Sequence, residues 1–395
     1  MQTVTREALR PGSADDIQAA LLDADAAGSS LRVIGGGTRR SMMGVAAASM
    51  RELDLSAISG ITNYEPEELV LSLRAGTPLH EVEAALAERG QMLAFDPPDY
   101  AALLGAGGAR TTIGGIIGSG FAGSRRLSAG NVRDHLLGFD AVSGRGEKFR
   151  AGGRVIKNVT GYDLAKLMVG SWGTLAVVTD LSLRVLPRPQ YEATVLVEQG
   201  DASVALAGIR TALASPLEVS SAACLADGRS AIRLEGFRAS VEERQRQILG
   251  MFESRGSVRA IEEAESAALW RDIRDVAVFA SDARVVWRLS LPSLSAATVV
   301  ATIAKSAACT ALYDWGGSLV WLAMEGEAPA GLVRGEVSKA GGHAWLMRAP
   351  VGVRERLATA PPLDAGTTAL SRRIKSGFDP QNRLGDGPFS FGTNR

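Results

Sequence analysis

The chain has 395 residues, 46% of them hydrophobic, with 43 Lys+Arg balanced by 43 Asp+Glu. That length suits roughly two to four globular domains with sizeable cores, and the scattered arginines with no net charge argue against a nucleic-acid surface. Two widely separated cysteines, Cys224 and Cys309, cannot alone ligate an iron–sulfur cluster, which usually takes four thiolates; they fit a reducing compartment. The opening MQTVTREALRPGS lacks the apolar core of a secretion signal. No run reaches the roughly 18 apolar residues of a membrane span. His80, His135 and His343 are not spaced as a metal site.

In chain order, Ser13 is placed to cap a helix over Asp15–Ala27, with Ile17, Leu21 and Ala24 on one face and Gly28 ending it. A buried strand, Leu31–Ile34, runs straight into Gly35, Gly36 and Gly37. Strands fit Glu52–Leu55, Ile61–Tyr64 and Leu69–Arg74. Pro78 opens a second helix that turns Leu79, Val82 and Leu86 inward, and Gly90 closes it. Residues 105–130, GAGGARTTIGGIIGSGFAGSRRLSAG, read as a long Gly/Ala/Ser-rich loop with little regular structure. Ordered loops of that length usually carry function. Leu136–Val142 and Lys148–Arg150 flank SGRGE as a hairpin, and a short helix covers Leu164–Val169. Leu175, Val177, Leu181, Leu183 and Val185 are expected on one strand face.

Pro187 and Pro189 mark the boundary to a second texture. Strands are predicted at 191–198, 218–225, 230–237 and 257–261 with helices at 201–214 and 240–254. After a helix at 263–275, strands at 284–290, 310–314, 318–324 and 343–348 alternate with helices at 293–307 and 329–341. This β-α-β-β-α-β order, used twice, predicts an antiparallel sheet with helices on one face. The expected organisation is a first domain at 1–190, an α+β cap at 191–348, and a tail at 349–395 packed back on the first domain.

What the three glycines hold can be narrowed by spacing. A P-loop needs Gly-Lys where Met42-Met43 stand. A dinucleotide fingerprint needs a third glycine where Arg40 stands. It also needs a following helix, although Asp54 lies at a distance suited to a ribose. Gly118-Ser-Gly120-Phe-Ala-Gly123 matches the letters, yet SRRLSAGNVRD follows it rather than an amphipathic helix. Two options remain: a nest of loop amides from Gly35, Gly36, Gly37, Thr38 and Arg39 that binds an anion, or a flexible turn.

GGGTRRSMMG resembles the pyrophosphate loop of the vanillyl-alcohol-oxidase-type (PCMH-type) FAD-binding domain. Three further stretches agree in order: ELVLSLRAGTPLHEVEAALAERGQMLAFDPP, TTIGGIIGSGFAG and GGRVIKNVTGYDLAKLMVGSWGTLAVVTDLSLRVLPRP. Together they span about 30–190. Within the family, KNVTGYDLAKLMVGSWGTL, FDPP and SRRLSAGNVRD look most like the FAD-binding subunits of glycolate oxidase (glycolate dehydrogenase). Beyond 190 the likeness rests on LWRDIRD and RIKSGFDPQNR, and NRLGDGPF departs from the family tail.

The resemblance implies an α+β fold: a two-lobed FAD-binding domain followed by the antiparallel cap. It puts Gly35, Gly36, Gly37, Thr38 and Arg39 on the FAD pyrophosphate. Thr112, Gly114, Gly115, Ser119, Gly120, Ala122 and Gly123 would contact the second phosphate and the isoalloxazine, with Pro97 beside the ring. Trp172, Gly173, Thr174 and Val177 would meet flavin or adenine through backbone; Trp172 replaces a smaller or acidic residue, so its ring could equally be core packing. Thr38 stands where some relatives carry a histidine that bonds FAD, so non-covalent FAD is implied.

The implied function is oxidation of glycolate, or a similar 2-hydroxy acid, to glyoxylate. Electrons would pass through FAD to a second FAD-binding subunit and an iron–sulfur subunit. The implied place is the cytoplasm, at the membrane's inner face through the partners. The His-rich metal motif of related enzymes is not found, which leaves two alternatives: a non-catalytic assembly or relay subunit, or a stand-alone dehydrogenase. No metal and no catalytic residue can be assigned. Arg125, Arg126 and Lys157 are candidate carboxylate-binding cations or solvated surface groups. Tyr162 could line the ring or be a buried tyrosine. Asp163 suits a helix N-cap better than a base, and His135 could be a base or structural. A valine at Gly36 is expected to press on the phosphates and expel FAD while the fold survives.

Overall fold

In the computed structural model, which describes residues 8–44, 49–153, 162–326 and 329–389, the Ser13 hydroxyl accepts the Asp16 amide at 3.2 Å. That cap starts α1 (Ala14–Ala26), which buries Ile17, Leu21 and Ala24. These side chains cover a parallel pair, β1 (Leu31–Ile34) with β2 (Arg51–Asp54). The chain then builds β3 (Ile61–Glu65), β4 (Val70–Arg74), α2 (Leu79–Ala87) and the two-residue β5 (Gln91–Met92). Three short helices follow: α3 (Ile113–Ser119), α4 (Arg126–Ala129) and α5 (Val132–His135). Next come β6 (Leu136–Ser143), β7 (Lys148–Gly152), α6 (Leu164–Met168), β8 (Ala176–Arg184) and β9 (Leu186–Pro187).

The five longer strands β3, β4, β8, β6 and β7 form an antiparallel sheet in that order. Its core side carries Leu71, Leu73, Leu181 and Leu183 against Val82 and Leu86 of α2 and Ile113 and Ile116 of α3. The expected single face of β8 is interrupted. Asp180 pairs with Asp140 but Val178 with Ala141, which leaves Thr179 as an extra, bulged residue. A one-residue bulge reverses which face later side chains take. Val177 therefore packs with α1, on the side opposite Leu181 and Leu183.

Residues 191–348 form one eight-stranded antiparallel sheet. Its strands are β10 (Tyr191–Glu198), β11 (Ser221–Cys224), β12 (Arg229–Gly236), β13 (Val258–Glu262), β14 (Val285–Ser290), β15 (Cys309–Asp314), β16 (Leu319–Met324) and β17 (His343–Arg348). The order is β13-β10-β12-β11-β15-β16-β14-β17. Each half repeats the same strand order about the β11–β15 seam, which is a single pairing of Cys224 with Tyr313. Helices α7 (Ala202–Leu213), α8 (Arg238–Phe252), α10 (Ala296–Ala304) and α11 (Ala330–Lys339) fill one face. Helix α9 (Glu263–Asp275) contributes Trp270 and Ile273 to the other face. There Leu196, Val286, Leu312 and Trp321 meet Ile34, Met42, Tyr100, Phe121 and Trp172 of the first lobe in one apolar cluster.

The tail forms α12 (Val351–Arg356) and α13 (Ala365–Phe378), then runs beside β1. The Leu31 amide donates to the Arg383 carbonyl at 2.7 Å, and the Gly385 amide to the Leu31 carbonyl at 2.8 Å. Among the described residues, no helix is long and apolar enough to cross a membrane.

Candidate cofactor site

Strand β1 delivers the glycine loop to a point where two segments touch. A Cβ on Gly35 would lie 2.3 Å from the Thr112 hydroxyl, and one on Gly36 only 1.6 Å from the Arg110 carbonyl oxygen. The loop thus lies hard against residues 110–112, and no side chain fits between them. Gly37 takes φ +82°, and a Cβ there would meet nothing within 4 Å. The second glycine stretch differs from its expected loop form, because residues 113–119 are helix α3. Thr112 caps it by accepting the Gly115 amide at 3.3 Å. Buried Ile113, Ile116 and Ile117 offset the poor helix propensity of Gly114, Gly115 and Gly118.

Two clefts share the Gly35–Gly37 wall. The first holds about 790 Å³ including its mouth; Met43, Ile117, Met168, Ala176 and Val178 give it an apolar lining. The second holds about 890 Å³ and is polar, with Asp54, Ser56, Ser59, Glu81 and Arg110 around it. An elongated ligand with one flat apolar end, one polar end and an anionic middle suits this pair. Arg39 supplies the charge. Its side chain is 6% exposed. Nη2 donates to the Pro98 carbonyl at 2.9 Å and Nη1 to the Thr38 hydroxyl at 3.5 Å, whereas Nε has no partner among the described residues. Burial pushes its pKa down, as expected of a cation held from water without a paired anion. A dinucleotide cofactor with a diphosphate at its centre fits both the shape and the unpaired charge.

Residues 6–152 match the FAD_binding_4 model, an FAD binding domain. The chain is 36% identical over 349 residues to glycolate oxidase subunit GlcE of Escherichia coli (strain K12), covering 88% of this chain and 89% of that protein. The chain belongs to the GlcE family of PCMH-type FAD-binding proteins. Its cofactor is FAD. A D-2-hydroxyglutarate dehydrogenase of Xanthomonas citri pv. viticola is 33% identical over 181 residues, 45% of this chain and 36% of that enzyme. Among solved structures, an alkyldihydroxyacetonephosphate synthase superposes with TM-score 0.69 at 14% identity, over 95% of this chain and 75% of that one. That likeness establishes the fold.

In this GlcE-family chain, Gly35, Gly36, Gly37, Thr38, Arg39, Thr112, Gly114, Gly115, Ser119, Trp172 and Gly173 converge on the first cleft. The other named positions do not line it. Pro97 is buried one residue before the carbonyl that takes Arg39. Gly120 ends α3 at φ +68° and borders a cleft between the lobes. Ala122 lies in the apolar cluster between the lobes. The Gly123 carbonyl accepts the Trp315 indole at 2.9 Å, and the Thr174 carbonyl accepts Lys375 Nζ at 2.8 Å. Val177 faces α1 because of the bulge, while its neighbours Ala176 and Val178 take the cleft wall. Those two, with Val33, Met43, Leu55 and Met168, are wall residues that spacing did not single out. For Ala176 and Val178 the only signal was the alternation along β8, which the bulge at Thr179 inverts. Trp172 borders the cleft, and its ring packs in the core, stacked on Trp345 at 6.0 Å.

The candidate catalytic groups separate as clearly. Arg125 is not free to hold a substrate, because it grips Glu235 through Nε (3.1 Å) and Nη2 (2.7 Å) and lies 3.5 Å from Asp96. Arg126 lies over the Trp315 ring at 4.5 Å. Lys157 falls outside the described residues. Tyr162 is 95% exposed, so it is neither a ring wall nor a buried tyrosine. Asp163 caps α6 by accepting the Lys166 amide at 3.3 Å. His135 is buried beside Phe95, with Nε2 2.8 Å from the Ala129 carbonyl oxygen, away from the cleft. The expectation for Gly36 also changes: its missing Cβ points at the Arg110 backbone, not at a ligand.

Proposed function

We propose that this chain is the FAD-carrying subunit of a complex that oxidises glycolate, or a similar short 2-hydroxy acid, to the 2-oxo acid. A second FAD-binding subunit and an iron–sulfur subunit receive the electrons, at the cytoplasmic face of the membrane. The observation that carries this reading is the glycine loop set between an apolar and a polar cleft, with unpaired Arg39 beside it. The similarity to a glycolate oxidase subunit over most of both chains supports the substrate.

When bound, FAD supplies a two-electron acceptor. The chain's own residues hold and shield it. Amides of Gly35–Thr38 and the Arg39 guanidinium would take the diphosphate. The walls formed by Ile117, Met168, Ala176 and Val178 would exclude water from the flat end. No histidine, cysteine or tyrosine lines this cleft among the described residues, which supports a non-covalent hold. With two cysteines, this chain cannot form a four-thiolate cluster, which supports a separate iron–sulfur partner.

The test uses Gly37→Asn. Asparagine tolerates positive φ better than most residues, so the fold should survive while the side chain fills the cleft. The purified wild-type chain should show flavin absorbance, and the variant should lose it with its apo-protein melting temperature nearly unchanged. Mixed with its partner subunits, the wild type should then be bleached by glycolate under anaerobic conditions. Full flavin content in Gly37→Asn would move the cofactor elsewhere.

A further inference from the structure

Between the lobes, β14, the turn after β15 and the start of β17 face α4 and the end of α3 across a third open cleft of about 1270 Å³ including its mouth. Ser119 and Trp172 line both this space and the apolar cleft, so the two are adjacent. At its floor lies Arg288, on β14, with 6% exposure. Three rings surround its guanidinium: Phe121 at 5.0 Å, Trp315 at 5.3 Å and Trp321 at 6.0 Å. Its Nε has no hydrogen-bond partner, and no carboxylate forms an ion pair with it among the described residues. Burial lowers its pKa, Arg126 disfavours its charge further, and the Tyr100 hydroxyl and the more distant Asp314 carboxylate act the other way. At the mouth stand Arg126, over Trp315, and part-exposed His343, whose pKa is lowered by partial burial and by Arg288.

This arrangement is costly as it stands. A guanidinium taken from water without a paired anion gives up solvation that nothing fully replaces. Other interior arginines of the same interface avoid that cost: Arg125 pairs with Glu235, Arg274 with Asp275, and Arg348 with Asp282. The aromatic cage repays part of it but supplies no hydrogen-bond acceptor for Nε. Arg288 and Arg126 thus converge on one cleft beside the apolar one, and no carboxylate among the described residues forms a direct ion pair with Arg288; the Asp314 charge acts on it only from a distance.

We propose that this cleft binds the carboxylate of a small organic acid, with Arg288 as the buried anchor and Arg126 as the second cation at the mouth. Planar forked donors match a carboxylate's two oxygens. Trp315 and Trp345 leave room for a short aliphatic acid alongside them. Identifying that acid with the 2-hydroxy acid oxidised by the complex rests on the function proposed above. The carboxylate site itself is read from the cleft.

The experiment titrates the FAD-loaded chain with oxalate, a non-oxidisable dicarboxylate, and follows tryptophan fluorescence and the flavin spectrum. Saturable binding is expected. Arg288→Met should weaken it by about 10–100-fold, the worth of one charged hydrogen-bonded contact. Arg126→Gln should weaken it by about 3–10-fold, as expected for a more exposed cation. If Arg288→Met melts near the wild type and binds oxalate equally well, the assignment is overturned. If that variant does not fold, Arg126→Gln decides, and wild-type affinity there overturns the assignment. Substrate bleaching of the flavin is measured separately. Glycolate turnover in the complex with unaltered oxalate binding in the variants removes this site but keeps the proposed function. Weakened oxalate binding without bleaching by any 2-hydroxy acid keeps the site and removes that function.

Discussion

Gly36 and Gly37 are neighbours with opposite reasons for lacking a side chain. At Gly36 the space is taken by the Arg110 carbonyl, whose oxygen would lie 1.6 Å and carbon 2.7 Å from a Cβ. No rotamer relieves a clash with backbone, so Gly36→Ala must push the two cofactor loops apart. The expected result is a loss of about 1–3 kcal/mol of stability even in FAD-free protein, the scale of overpacking in a tight core, together with lost flavin. Denaturant unfolding of the stripped protein checks it; an unchanged midpoint would show that the loops are not in contact. Gly37 instead has open space and a positive φ, which makes it the residue where cofactor binding and folding can be separated. Trp172 shows the converse. It holds φ 56° despite a bulky side chain, at a cost of about 1–2 kcal/mol. Its amide bond to the Gly118 carbonyl at 2.9 Å and its stack on Trp345 hold it there. In that conformation Trp172 borders the apolar cleft while its ring joins the lobes.

At the scale of elements, α13 is a helix whose one buried side chain is a lysine. Lys375 Nζ donates to the Thr174 carbonyl (2.8 Å), the Leu384 carbonyl (2.8 Å) and Asp379 Oδ2 (2.6 Å), so all three of its protons are used. Asp379 in turn accepts the Arg383 and Leu384 amides at 2.9 Å each. The tail is thereby tied to the turn that follows Trp172 and Gly173. Lys375→Met leaves Asp379 charged and buried, and should cost about 3–5 kcal/mol. Lys375→Met/Asp379→Asn should recover part of that loss, a coupling that a double-mutant cycle by chemical denaturation measures. Additive losses would mean the pair does not act as a unit. None of this was legible beforehand, because Lys375 reads as a solvated lysine on a polar helix. Elements whose signals are local were legible. Ser13 and the Ile17, Leu21, Ala24 stripe placed α1 within a residue of its observed start. The twice-used β-α-β-β-α-β succession of elements in 191–348 followed from alternation and turn residues, though not the order of the strands within the sheet. Helix α3 was not, since Gly114, Gly115 and Gly118 oppose it locally and only burial of its isoleucines favours it. The glycine loop was legible because its chemistry is contiguous. Arg288 was not, because β14 reaches the first lobe only through tertiary packing.

Over the whole molecule, polar contacts lock the two lobes together. Arg125 joins Asp96 of the first lobe to Glu235 of the second. The Ser124 hydroxyl donates to Asp314 Oδ2 at 2.7 Å, and the Trp315 amide to Asp314 Oδ1 at 2.7 Å. Asp314 is 3% exposed, and burial pushes its pKa up to about 6, against the two hydrogen bonds that lower it. The folded state therefore holds this proton more tightly than the unfolded chain. As pH rises from about 4 to about 6, the unfolded carboxyl ionises first and stability falls; above that window the loss is complete. Two pKa units correspond to about 3 kcal/mol at most. An asparagine side chain in place of this carboxyl would keep an acceptor for the Trp315 amide and can donate to the Ser124 oxygen, with no charge to bury. Asp314→Asn should match the wild type near pH 4 and exceed it progressively up to neutral pH. The difference between the two unfolding free energies isolates Asp314 from groups such as Glu235, whose pKa is held down to about 2 by Arg233 and Arg125 and whose contribution is common to both proteins. A pH-independent difference, or a variant weaker at neutral pH, would show that the ionised carboxylate stabilises the interface, with the Ser124 bond worth more than the buried charge costs.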